Sequence, residues 1–189
     1  MSARTCAFIG FGANLGDPFA TMPRALEALA ALPETRLAAC SSYYRSAPLE
    51  VSGPHPDYIN AVIALDTGLS SQALLDALLR IESVCGRSRN GMVAPRPIDL
   101  DLLLYGETVM QSPTLTLPHP RMHQRAFVLL PLAEIAPALS IPGHGPLTSL
   151  LENVKGQRVV RVPVICAAMQ GQPFFQTECP VRQTPISTR

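Results

Sequence analysis

The chain opens on an apolar stretch, Thr5 to Gly12, that reads as a first strand. Gly12-Ala13-Asn14-Leu15-Gly16-Asp17-Pro18 follows as a turn, since Gly and Asn tolerate unusual backbone angles. Asp17-Pro18 has the form of an N-cap followed by a first-turn proline. The helix it starts runs to about Ala31, with Met22, Leu26 and Leu29 near helical spacing. Leu37 to Ser46 reads as a second strand, the proline-rich stretch Pro48 to Pro56 as a loop, and Tyr58 to Leu65 as a third strand. Ser70-Ser71-Gln72 caps a second helix reaching about Cys85, with Leu74, Leu75, Leu78 and Ile81 on its buried face. Gly86 to Ala94 is polar and lacks apolar periodicity, so it reads as a mobile loop. Ile98 to Leu104 is a fourth strand, a short hairpin through Gly106 returns over Thr108 to Gln111, and a helix spans about Arg125 to Ala133. Pro137, Pro142 and Pro146 interrupt the chain beyond it.

The order is β-α-β-β-α-β with additions, which fits an α+β sandwich with helices on one face of a largely antiparallel sheet. At 189 residues one domain is the default. Residues 1–156 make that domain. Residues 157–189 carry four prolines and form a C-terminal extension, expected to be partly an edge strand (Val159 to Cys166) and partly disordered.

Within the fourth strand lies the most telling pattern, Pro95-Arg96-Pro97-Ile98-Asp99-Leu100-Asp101-Leu102. Alternate strand residues share a face, so Asp99 and Asp101 point one way, about 6.6 Å apart at Cα, and Ile98, Leu100 and Leu102 the other. Two such carboxylates can hold a hard cation through oxygen, or they can form a solvated strand face. Spacing alone leaves both open.

Composition changes the picture little. The formal net charge is +1 and 5 % of residues are aromatic, which argues against an RNA-binding module. No phosphate-cradling GxxxxGK[ST] motif occurs, so nucleotide binding would rest on arginines and metal. The five cysteines are scattered without a CxxC pair, and free thiols in a reducing cytosol are expected. No signal peptide or membrane span is apparent, so a cytoplasmic protein is expected.

Four segments in order, Gly12-Ala13-Asn14-Leu15-Gly16-Asp17, Pro56-Asp57-Tyr58-Ile59-Asn60, Pro95 to Asp101, and Leu117-Pro118-His119-Pro120-Arg121-Met122, closely resemble the 6-hydroxymethyl-7,8-dihydropterin pyrophosphokinases of folate biosynthesis. The resemblance spans about Thr5 to Leu151. It implies a ferredoxin-like fold and transfer of the β,γ-pyrophosphoryl unit of ATP to a pterin hydroxymethyl group, leaving AMP. It implies two Mg²⁺ ions held by Asp99 and Asp101, and phosphate contacts from Arg87, Arg89 and Arg96, which with the aspartates form the catalytic set. The same likeness puts Leu75, Glu82, Leu102, Thr116, His119 and Arg125 around ATP. Tyr58 and Phe127 would sandwich the pterin, Asn60 would read its polar edge, and Ser46, Pro48 and Leu49 would contact the same edge. From the residues alone, Leu75 and Phe127 read as core, and Glu82 as a helix-surface charge.

One stretch departs from the resemblance. The family usually shows Arg-Trp-Gly before Pro-Arg, where this chain has Met92-Val93-Ala94. A degenerate relative that binds pterin or nucleotide with little transfer is therefore the competing expectation. ATP and pterin are the expected partners of a monomer, with neither nucleic acid nor membrane.

Overall fold

The computed structural model describes residues 4–48, 56–85 and 97–163. Its centre is a six-stranded antiparallel sheet built from β1 (Thr5–Ala13), β2 (Thr35–Cys40), β3 (Tyr44–Ser46), β4 (Tyr58–Thr67), β5 (Asp99–Tyr105) and an edge strand near the C-terminus, Val159–Arg161. The long β4 pairs β1 along one side; on the other it pairs β3 at its start and β2 at its end. On the far side of β1 lies β5, an edge of the sheet. Two short ladders join β6 (Met110–Gln111) to β7 (Thr116–Leu117) and β8 (Ser140–Ile141) to β9 (Gly145–Pro146). The edge strand Val159–Arg161, β10, pairs β3.

Among the described residues four helices cover this sheet: α1 (Pro18–Ala30), α2 (Ser71–Val84), α3 (Ala126–Ile135) and α4 (Leu147–Asn153). The expected caps are in place. Asp17 accepts from the backbone N–H of Phe19 and Ala20, and Ser70 accepts from that of Ala73.

The strict alternation of β1 divides the interior into two cores. Ala7, Ile9, Phe11 and Ala13 pack with Met22, Leu26 and Leu29 of α1 and Leu74 and Leu78 of α2. Cys6 and Phe8 pack on the other face with Val128, Leu129 and Leu132 of α3 and Leu147 and Leu150 of α4. Helices thus cover both faces, not one. The prolines expected to break the chain after α3 do not prevent α4, because Pro146 occupies its N-cap position, where no helical N–H is lost.

Two further expectations change. Leu37 to Ser46 is two strands, split at Ser41, whose N–H donates to Val62 O while its Oγ accepts from Val62 N. Beyond Gly106, Met110–Gln111 pairs with β7 and not with the preceding strand. Cys40 and Cys85 are free thiols as expected, whereas Cys6, against that expectation, is disulfide-bonded. No helix among the described residues is long and apolar enough to cross a membrane.

Candidate active-site cleft

Where the core of α3 and α4 ends, the same sheet face opens into a cleft of about 250 Å³. Its floor is β1. Gly12 stands between Asn60 of β4 and Asp99 of β5 in the ladder, and Gly10 stands between Val62 and Asp101. Adjacent strands lie about 4.8 Å apart, so the carboxylate row and Asn60 face each other across roughly 9.6 Å with no side chain between them. A Cβ at Gly12 would lie 3.8 Å from Asn60 Oδ1 and 3.9 Å from Asp99 Cβ, in the middle of this gap. Glycine inside a strand weakens it and commonly marks a close backbone approach. These two glycines were the missed signal: the pattern Gly10-Phe11-Gly12 reads from sequence only as the end of a strand and the start of a turn.

Asp99 and Asp101 both line the cleft, as their spacing predicts, while Leu100 and Leu102 enter the opposite core. The edge of β5 is tied from below. Glu82, buried on α2, accepts a 2.7 Å hydrogen bond from Leu100 N, the amide between the two aspartates. Glu82 is therefore not the surface charge its residue type suggests.

Asn60 is 4 % exposed. Its amide nitrogen donates to Tyr44 O at 3.1 Å and to Ser46 Oγ at 3.0 Å. That nitrogen is committed to β3, which leaves Oδ1 facing the cleft as an acceptor for a donor-bearing ligand edge. Tyr58, at the start of β4, and Phe127, in the first turn of α3, line the same space.

Arg121, Gln124 and Arg125 line the same cleft as a further wall. A 3-10 turn (Met122–Gln124) leads into α3, and the Arg125 guanidinium sits 5.4 Å over the Phe127 ring. His119 lies near this wall. Burial first, and then Arg125 and Arg121, push its imidazole below the ordinary range, while Asp99 pulls the other way. His119 is thus held towards its neutral form beside two cations.

The structure therefore brings Ser46, Tyr58, Asn60, Asp99, Asp101, Arg125 and Phe127 into one cleft, with His119 beside it. It does not bring Pro48, Leu75, Glu82, Leu102 or Thr116 to the cleft lining. Leu75 and Leu102 belong to the core against α1 and α2, behind β5, and Thr116 is on β7. Leu49, Arg87, Arg89, Arg96 and the Met92-Val93-Ala94 stretch lie outside the described residues.

No group of three or more metal-ligating side chains occurs among the described residues. The donor set nevertheless fits Mg²⁺, which takes one or two carboxylates and completes its shell from water and phosphate. Both carboxylates are half-buried, on one face, beside open space.

Comparison with known proteins shows the family of the chain. Residues 8–137 match the family model for 7,8-dihydro-6-hydroxymethylpterin-pyrophosphokinase (HPPK). The chain is 42 % identical over 158 residues to the 2-amino-4-hydroxy-6-hydroxymethyldihydropteridine pyrophosphokinase of Haemophilus influenzae, covering 82 % of this chain and 97 % of that one. It is 44 % identical over 158 residues to the enzyme of the same name from Pseudomonas aeruginosa, covering 82 % and 96 %. Among solved structures, the Plasmodium falciparum HPPK-DHPS with pteroate superposes with a TM-score of 0.67 at 12 % identity, a likeness of fold alone. That match covers 87 % of this chain and spans about half, 47 %, of the solved chain. The chain belongs to the 6-hydroxymethyl-7,8-dihydropterin pyrophosphokinase family.

Proposed function

We propose that this protein transfers the pyrophosphoryl group of ATP to the hydroxymethyl oxygen of 6-hydroxymethyl-7,8-dihydropterin, giving AMP and the pterin diphosphate, in the synthesis of tetrahydrofolate. The observation that carries this reading is the cross-strand row of Asn60, Gly12 and Asp99, with the row of Val62, Gly10 and Asp101 beside it. An acceptor for a heterocycle edge and a carboxylate pair for a metal-bound phosphate chain stand on opposite sides of a floor without side chains.

The division of labour follows. Asn60 Oδ1 accepts from the donor edge of the pterin, and Tyr58 and Phe127 lie against its faces, gaining apolar area and stacking. Ser46 sets the Asn60 amide, and Pro48 and Leu49 border the same edge. Arg121 and Arg125 draw the phosphates to their wall, with His119 as a neutral hydrogen-bonding group. Arg87, Arg89 and Arg96 approach the phosphates from the neighbouring loop. Leu75 and Thr116, half-buried near β5, would border the nucleotide where it passes that edge, which Glu82 and Leu102 support from the core. Asp99 and Asp101 would hold two Mg²⁺ ions, whose chemistry when bound is to neutralise phosphate charge and acidify the acceptor hydroxyl. Residues 1–156 carry this activity as a monomeric, cytoplasmic domain with the extension 157–189 attached.

An AMP-release assay with ATP, Mg²⁺ and 6-hydroxymethyl-7,8-dihydropterin tests the reading. AMP should appear in step with the pterin diphosphate and cease on chelation with EDTA. Formation of ADP would contradict pyrophosphoryl transfer. Binding of both substrates without AMP would establish the degenerate relative instead.

A further inference from the structure

The start of α3 lies at the cleft. Arg125 occupies the N-cap position of α3, and its side chain caps nothing. The first N–H of the helix, that of Ala126, has no acceptor within the helix. The partner comes from 31 residues further along the chain: Gln157 Oε1 accepts from Ala126 N at 2.9 Å. The other half of the same amide, Gln157 Nε2, donates to Gln124 O at 2.7 Å. One planar amide thus bonds the backbone on both sides of Arg125. Gln157 is itself fixed by its N–H to Val154 O at 2.9 Å, at the end of α4.

We infer that Gln157 is a positioning residue for the active-site wall, holding the Gln124–Ala126 backbone so that Arg125 and Phe127 face the substrates; the inference rests on the function proposed above. Two observations support it beyond the hydrogen bonds. The residues it brackets, Gln124 and Arg125, line the cleft, as does Phe127 in the first helical turn. Moreover, Gln157 lies beyond residues 8–137, the part matching the family model, so the site wall draws on the C-terminal extension. A chain cut at residue 156 would keep every cleft-lining residue and lose this clamp.

Gln157→Leu keeps similar bulk and removes both bonds. Gln157→Glu keeps the acceptor for Ala126 N–H and loses the donor to Gln124 O, and serves if the leucine variant does not fold. Two readouts are needed. Amide exchange at Ala126 should accelerate about tenfold in Gln157→Leu, the loss of one capping bond, and stay near the native rate in Gln157→Glu. KM for ATP and for the pterin should rise about three- to tenfold in both variants, with kcat within about twofold, because the wall binds substrates and does not perform the transfer. Lys155→Ala, which breaks only the exposed pair of Lys155 with Glu152, should leave both readouts native.

Native KM values in Gln157→Leu would overturn the inference, even with faster exchange, by reducing Gln157 to a helix cap. Unchanged exchange at Ala126 would overturn it at its first step. If the native protein forms no AMP, the proposed function fails, and substrate dissociation constants then replace KM in the same comparison. Equal constants in the native protein and Gln157→Leu would refute the clamp independently.

Discussion

Asp99 and Asp101 stand on a strand paired residue by residue with β1, and Glu82 ties the amide between them from beneath. Arg125 and Phe127, across the cleft, stand at the start of a helix with no local cap. Long-range side chains hold that helix. Gln157 brackets its first turn. At its other end Glu134 accepts from Ser42 N and Oγ, Tyr44 OH and Arg161. One wall is set by a backbone ladder, the other by the apolar packing of α3 together with a few side chains reaching from the sheet edge and the C-terminal segment. The groups proposed to hold metal sit on the ladder, and those proposed to bind the substrates sit at the start of the helix.

Breaking the ladder-held wall should have the largest effect. Asp99→Ala or Asp101→Ala should each lower kcat about 10³-fold, near 4 kcal/mol of lost transition-state stabilisation, with the thermal midpoint little changed. Near-native turnover in either variant would detach metal binding from this pair. The floor between the walls is the next test. Gly12→Ala places a Cβ at ordinary contact distance from Asn60 and Asp99, so the fold should survive. The added methyl occupies ligand space, and KM for the pterin should rise about tenfold, roughly 1.4 kcal/mol. An unchanged KM would mean the ring does not lie over Gly12.

These two walls also differ in how far the sequence discloses them. The alternation around Asp99 and Asp101 predicts their shared face, and Asp17 and Ser70 predict their helix starts, because strand period and N-caps are local rules. The second wall was legible only through the family resemblance. Taken alone, Phe127 reads as core and Glu82 as surface, because nothing local reveals that α3 begins at a cleft or that an amide bond waits beneath β5. Gln157 carries no local signal at all, since its partners are backbone groups 31 and 33 residues away. Gly10 did carry one, a glycine inside a strand. The split at Ser41 escaped because Leu37 to Ser46 keeps strand-like residues throughout while its pairing shifts along β4.

Smaller effects sharpen the side-chain-held wall. Tyr44→Phe removes one of the bonds to Glu134 and should cost about 1 kcal/mol of stability at neutral pH, measured by urea unfolding. Burial, and then the bond to Glu134 and its charge, push the Tyr44 hydroxyl up to about 12 from 10.0. Folding therefore favours the protonated phenol. Its contribution is whole below pH 10 and is lost as pH rises towards about 12. The native protein should lose stability in that window more steeply than Tyr44→Phe; parallel curves would remove Tyr44 from the account.

The central claim is that two neighbouring carboxylates on β5 hold divalent metal against a triphosphate across the glycine floor from Asn60. A crystal structure with Mn²⁺, a non-hydrolysable ATP analogue and the pterin tests it most directly, because manganese is located by its anomalous signal. The account predicts two metal peaks bonded to Asp99 and Asp101 and to phosphate oxygens, with the pterin over Gly12 and its donor edge on Asn60 Oδ1. Nucleotide and pterin bound in the cleft with no metal at either aspartate would contradict it.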